Sequence, residues 1–111
     1  MIMNKRLYVS LPIDSIPDVD INERIAYANH IKEVMLHFYE EVVTPFDGDW
    51  REGLCRHEYL RMGFKALLCC DAIYMCKGYE KSDGCSKELA LALWSGLEVK
   101  FEGDEKEREK V

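Results

Sequence analysis

Glu88 is the side chain around which chemistry could be built in this chain. It lies in a helical pattern running from Cys85 to Trp94, after a short apolar run, Ala72-Ile73-Tyr74-Met75-Cys76, and a polar loop from Lys77 to Gly84. Cys85, Leu89, Ala92 or Leu93, and Gly96 or Leu97 recur at helical spacing and form the face that packs on a sheet; Glu88 stands one residue off that stripe. Helical Cβ vectors lean toward the helix N-terminus, so its carboxylate points at the carboxyl end of the preceding strand. Open α/β sheets bind ligands at that edge, and a carboxylate there can serve as nucleophile or base. The plainer reading is an acid that simply favours the positive end of a helix dipole.

Other reactive side chains have blander explanations. His30 and His37, seven residues apart, could share a ligand, but they fall with Glu23, Glu33 and Glu40 on the polar face of a long helix. Asp47-Gly48-Asp49 looks like the start of a calcium loop, yet the glycine comes too early and no bidentate glutamate follows, so a plain turn fits better. Cys55, Cys69, Cys70, Cys76 and Cys85 are odd in number and contain no C-x-x-C pair. They read as reduced core thiols rather than zinc ligands or disulfide partners. No metal and no cofactor is expected, and Tyr74 and Met75 read as packing.

Composition narrows the partners. The 111 residues carry a formal net charge of −6 and no basic cluster, which argues against polymeric nucleic acid and anionic membranes. A free nucleoside or nucleotide remains compatible with that charge. No apolar run approaches the ~20 residues of a membrane span, and Met1 to Arg6 leads straight into a strand pattern, so the expected location is the cytoplasm. The length suits one domain, residues 1–102, with a charged tail at 103–111; so small a core would gain from assembly into a homo-oligomer.

The elements that must position Glu88 can be read in order. Arg6 to Pro12 is a central first strand with bulk on both faces, ended by Pro12, and a loop follows to Asp20. Asp20 and Glu23 form a capping-box-like pair opening a helix whose stripe, Ile21, Ile25, Ala28, Ile31, Met35 and Phe38, reaches about Glu41. Val42-Val43-Thr44 is a short second strand stopped by Pro45, and Trp50 anchors the loop after it. A helix from about Arg51 to Cys69 turns Tyr59, Leu60, Phe64, Leu67 and Leu68 inward. Asp71 starts the strand Ala72 to Cys76, and Leu97 to Glu102 alternates as a half-buried edge strand.

This βαβαβαβ alternation, with right-handed crossovers, predicts a small three-layer α/β/α domain with a four-stranded parallel sheet, and analogy with flavodoxin-like folds places the strands in the order 2-1-3-4. The switch point then lies between the first strand and the Ala72 strand. The loops after Ser10 and after Cys76 face each other there, with Glu88 pointing into the crevice.

The run Cys70-Asp71-Ala72-Ile73-Tyr74-Met75, the loop Gly78-Tyr79-Glu80-Lys81-Ser82-Asp83-Gly84 and a Glu four residues after that last glycine together resemble the nucleoside 2-deoxyribosyltransferase superfamily, in particular its short uncharacterised bacterial and phage branch. Leu7 to Ile13 and Val42 to Phe46 extend the likeness over roughly Arg6 to Val99. The resemblance implies cleavage or transfer at an N-glycosidic bond. It makes Glu88 the nucleophile that forms a glycosyl-enzyme intermediate, and Tyr8 a site tyrosine that orients it. It also puts Ser10, Pro12, Gly78, Ser82 and Gly84 around the ligand, with the amides at the helix start receiving a hydroxyl or phosphate.

Such chemistry parallels retaining glycosidases, whose two carboxyl groups stand about 5 Å apart. In the superfamily the second carboxylate is an aspartate on the preceding helix, and here Gly63 holds that place. Asp71 cannot replace it, since it begins its strand about 15 Å from the carboxyl end at ~3.3 Å per residue. Leu11 also stands where relatives carry glycine. Three functions follow: an N-glycosidic enzyme, a nucleotide-binding descendant without turnover, and an assembly module. The features of flavin binders, phospho-receivers and zinc deaminases are absent from the sequence.

Overall fold

Strand β1, Met3–Ser10, is the axis of the fold: Leu7, Tyr8, Val9 and Ser10 are all buried, as a strand with bulk on both faces requires. The computed structural model describes residues 3–13, 20–47 and 54–103. After β1 come α1 (Ile21–Met35), β2 (Tyr39–Val43), α2 (Arg56–Leu68), β3 (Ala72–Met75), a 3-10 turn (Tyr79–Lys81), α3 (Asp83–Trp94) and β4 (Glu98–Phe101). The strands form one parallel sheet in the order β2-β1-β3-β4, the order expected by analogy with flavodoxin-like folds.

The sheet has a core on each face, and the period-2 alternation of β1 divides its residues between them. Leu7, Val9 and Leu11 join Ala28, Ile31 and Met35 beneath α1. Tyr8 faces the other way, among Leu67, Ile73, Met75, Cys85 and Ala92 under α2 and α3. Three layers result, a flavodoxin-like α/β fold.

Local signals set several boundaries. Asp20 caps α1, its Oδ1 accepting from the amides of Asn22 at 3.0 Å and Glu23 at 3.3 Å. Asp71 acts as the start signal for β3: its Oδ2 accepts from the Arg6 amide at 2.9 Å, its own amide donates to the Arg6 carbonyl, and its carbonyl accepts from Glu98. At the opposite end of the sheet, Glu102 accepts from the Lys77 amide at 2.9 Å and from the Tyr27 hydroxyl.

Other boundaries differ from the periodicity. α1 stops at Met35 rather than near Glu41, and β2 starts at Tyr39 rather than Val42, leaving Thr44 outside the strand. Pairing of Met3 with Tyr39 and burial of Tyr39 and Val42 outweigh the helical stripe, so Phe38 faces solvent. α2 ends with Leu67 inward and Leu68 exposed, and on α3 Ala92 is buried while Leu93 is exposed. Cys70, Cys76 and Cys85 are core thiols, whereas Cys55 and Cys69 are exposed, because only the first three fall on packed faces. The start expected for α2 near Arg51, the Trp50 anchor and the tail beyond Gly103 lie outside the described residues. No helix among the described residues is long and apolar enough to cross a membrane.

Candidate functional site

Tyr8 and Ser10 are two residues apart on β1, so both project to the face covered by α2 and α3. β1 lies beside β3 in register, Tyr8 against Ile73 and Ser10 against Met75, which brings both side chains to the carboxyl half of the sheet. α3 returns over that face, and Glu88 points down from it. The Tyr8 hydroxyl donates to Glu88 Oε2 at 2.6 Å, and the Ser10 hydroxyl donates to Oε1 at 2.8 Å. Residues separated by about eighty positions thus form one polar unit in an otherwise apolar core.

The unit is nearly dry. Tyr8 and Ser10 have no exposed surface, and Glu88 keeps 8% of its own. Burial pushes the Tyr8 phenol well above its ordinary range, and the Glu88 charge and hydrogen bond push it the same way. Tyr8 therefore stays a hydrogen-bond donor at any physiological pH. One hydroxyl donor on each oxygen is an environment that favours the ionised form of a carboxylate.

Gly63, on α2, closes the other side of this carboxylate. A Cβ built on it would stand 2.8 Å from Glu88 Oε2 and 3.1 Å from the Tyr8 hydroxyl. The position read from the sequence as the place of a second carboxylate is thus in contact with Glu88, and there is no vacant volume between them.

The remaining predicted residues form the surrounding loops. Ser82 is the N-cap of α3, its hydroxyl accepting from the Cys85 amide at 3.3 Å, and both Ser82 and Gly84 are buried. Gly78 adopts φ +87°, a left-handed conformation suited to glycine, and a Cβ there would lie 3.8 Å from Pro12 Cγ. Pro12 and Gly78 therefore bring the loops after β1 and β3 side by side, as the switch-point argument requires.

A separate open cavity of about 460 Å³ is lined by Glu23, Arg24, Ala26 and Tyr27 of α1. These residues belong to the opposite layer from Glu88, and the buried carboxylate carries the stronger chemical signal. Tyr27 and Glu102 tie α1 to the end of β4, a pairing that the sequence pattern does not reveal, because Glu102 there only ends the alternating run from Leu97. His30 and His37 are both exposed. Asp47 accepts from the Thr44 amide at 2.8 Å and from the Lys32 ammonium, as a turn residue does, while Gly48 and Asp49 are not among the described residues. Among those residues, no three His, Cys, Asp or Glu side chains converge as a metal site.

A comparison with known protein families matches residues 5–101 to a domain of unknown function, DUF4406. The chain belongs to the DUF4406 family. The match covers β2, β3 and β4, β1 from Lys5 onward, and every residue of the Tyr8–Ser10–Glu88 unit. No curated protein matches the chain.

Proposed function

We propose that this DUF4406 domain binds a nucleoside or nucleotide at the carboxyl edge of β1 and β3 and cleaves or transfers its N-glycosidic bond, with Glu88 as nucleophile. The observation that carries this reading is the buried Glu88 carboxylate held by two hydroxyl donors, Tyr8 and Ser10, at the switch point of a parallel sheet. The motif likeness to nucleoside 2-deoxyribosyltransferases supports the same assignment.

In the reaction a Glu88 oxygen attacks the anomeric carbon, a carbon–oxygen bond forms, and the carbon–nitrogen bond breaks with its electron pair leaving on the base. Solvent supplies the proton to the departing base, since the elevated Tyr8 phenol is a poor acid. Water, or a second base, then displaces the glutamyl ester and regenerates the carboxylate. Tyr8 and Ser10 fix the carboxylate throughout. Pro12, Gly78, Ser82 and Gly84 shape the ligand crevice.

The test is chromatographic. Purified protein is incubated with deoxynucleosides, deoxynucleoside monophosphates and one foreign base, and free base or exchanged product is measured beside Glu88→Ala. Product that vanishes in the variant supports the assignment; no product from the wild type refutes it. Gly63 favours a second reading, a nucleotide-binding module without turnover, because it contributes no second carboxylate. A thermal shift with nucleotides but no product would select that reading.

A further inference from the structure

The place of Gly63 opposite Glu88 has a physical meaning beyond a missing acid. Gly63 sits in the interior of α2, where its backbone has ordinary helical dihedrals. Glycine is unfavourable there relative to alanine, since it loses more backbone freedom and gains no packing. Something must therefore favour the missing side chain, and the geometry identifies it. A Cβ at 63 would press on Glu88 Oε2 at 2.8 Å, on the Tyr8 hydroxyl at 3.1 Å and on Glu88 Cδ at 3.9 Å.

The end of a free, flexible glutamate could move aside at little cost. This one is tethered at both oxygens, so shifting Oε2 away from α2 stretches the 2.6 Å hydrogen bond from Tyr8 and disturbs the one from Ser10. We propose that Gly63 is a positioning residue: the bare backbone of α2 provides the space in which Tyr8 and Ser10 hold the Glu88 carboxylate. The inference rests on the reading of Glu88 as the site carboxylate. It implies that this chain works with a single carboxylate at this place, because any side chain at 63 displaces the one it has.

A double-mutant cycle tests the proposal without any need for turnover. Gly63→Ala is made in the wild type and in Glu88→Ala, and melting temperatures are compared. With the carboxylate present the substitution lowers the melting temperature. With the carboxylate removed it raises it by about 4 °C, the ordinary benefit of alanine over glycine in a helix. Glu88→Asp, which withdraws the carboxylate by one methylene, is a second background in which the penalty shrinks, and it serves if Glu88→Ala does not fold.

A spectroscopic readout accompanies the cycle. The hydroxyl proton of Tyr8, identified by its absence in Tyr8→Phe, moves upfield in folded Gly63→Ala as its hydrogen bond lengthens. The proposal is overturned if Gly63→Ala raises the melting temperature equally in all backgrounds, or leaves that proton unmoved. The two readings fail separately: absence of glycosidic product removes the enzyme and leaves the cycle intact, whereas a null cycle removes the role of Gly63 and leaves any product formation standing.

Discussion

Asp71 and Glu88 mark opposite ends of β3 and its crossover, and the structure holds these two carboxylates in different ways. Asp71, exposed at the amino end of the sheet, takes a backbone amide from Arg6 and gives its own amide and carbonyl to the neighbouring strands. Every partner it has in that arrangement is main chain, so the residue completes a ladder. Glu88, buried at the carboxyl end, takes the hydroxyls of Tyr8 and Ser10 and is flanked by a glycine. Burial of a carboxylate is costly unless it is hydrogen-bonded, and a fold that needed only a helix-dipole acid could leave it in water. The comparison separates an acid that organises backbone from an acid that is itself organised.

The strongest way to break the comparison is chemical. Glu88→Gln keeps the shape of the side chain and is expected to reduce base release by roughly 10³-fold or more, as loss of a nucleophile does. Chromatography of the deoxynucleoside mixture checks it, with Asp71→Asn as the partner that retains full activity. Equal losses in both would erase the distinction.

Tyr8→Phe addresses the hydroxyl that fixes Glu88. Removing a donor to a buried charged acceptor should cost about 2 kcal/mol of stability in a urea melt, and Ser10→Ala about as much or less. A change within experimental error for both would mean that the carboxylate is not held as described.

Alkaline pH sharpens the same point. The phenols of Tyr8 and Tyr27 are both raised by burial first and by a neighbouring glutamate second, so the folded state keeps protons that the unfolded chain gives up near pH ~10. Above that pH the unfolded state binds fewer protons, and stability therefore falls as pH rises. Urea melts from neutral to alkaline pH should show that decline, and it should be shallower in Tyr8→Phe.

Smaller effects belong to the structural end. Asp71→Asn is expected to cost about 1 kcal/mol by weakening the bond from the Arg6 amide, again read by urea melts. Thiol accessibility gives the gentlest test of the layers. Burial raises Cys70 to about 11 and moves Cys76 upward as well, so iodoacetamide at mild pH should label Cys55 and Cys69 well before Cys70, Cys76 or Cys85, as mass spectrometry would detect.

Much of this protein follows from its sequence because the relevant signals are local. The alternation in Leu7 to Leu11, the cap at Asp20, the Ser82 cap ahead of Cys85 and the four-residue step from Gly84 to Glu88 depend on neighbours in the chain, and they point to a parallel sheet with a carboxylate at its carboxyl edge, while the order 2-1-3-4 comes from analogy with flavodoxin-like folds. The end of α1 was not legible in this way: Phe38 continues a helical stripe, and only the pairing of Tyr39 to Val43 with β1 overrides it. Nor did the pattern show that Ser10 serves Glu88, since a buried serine on a strand has no local sign of its partner. Gly63 is the clearest case. As a letter it reads as the absence of an acid; in the fold it lies against Glu88 Oε2 and the Tyr8 hydroxyl, because contact between α2, β1 and α3 depends on how three distant segments pack together.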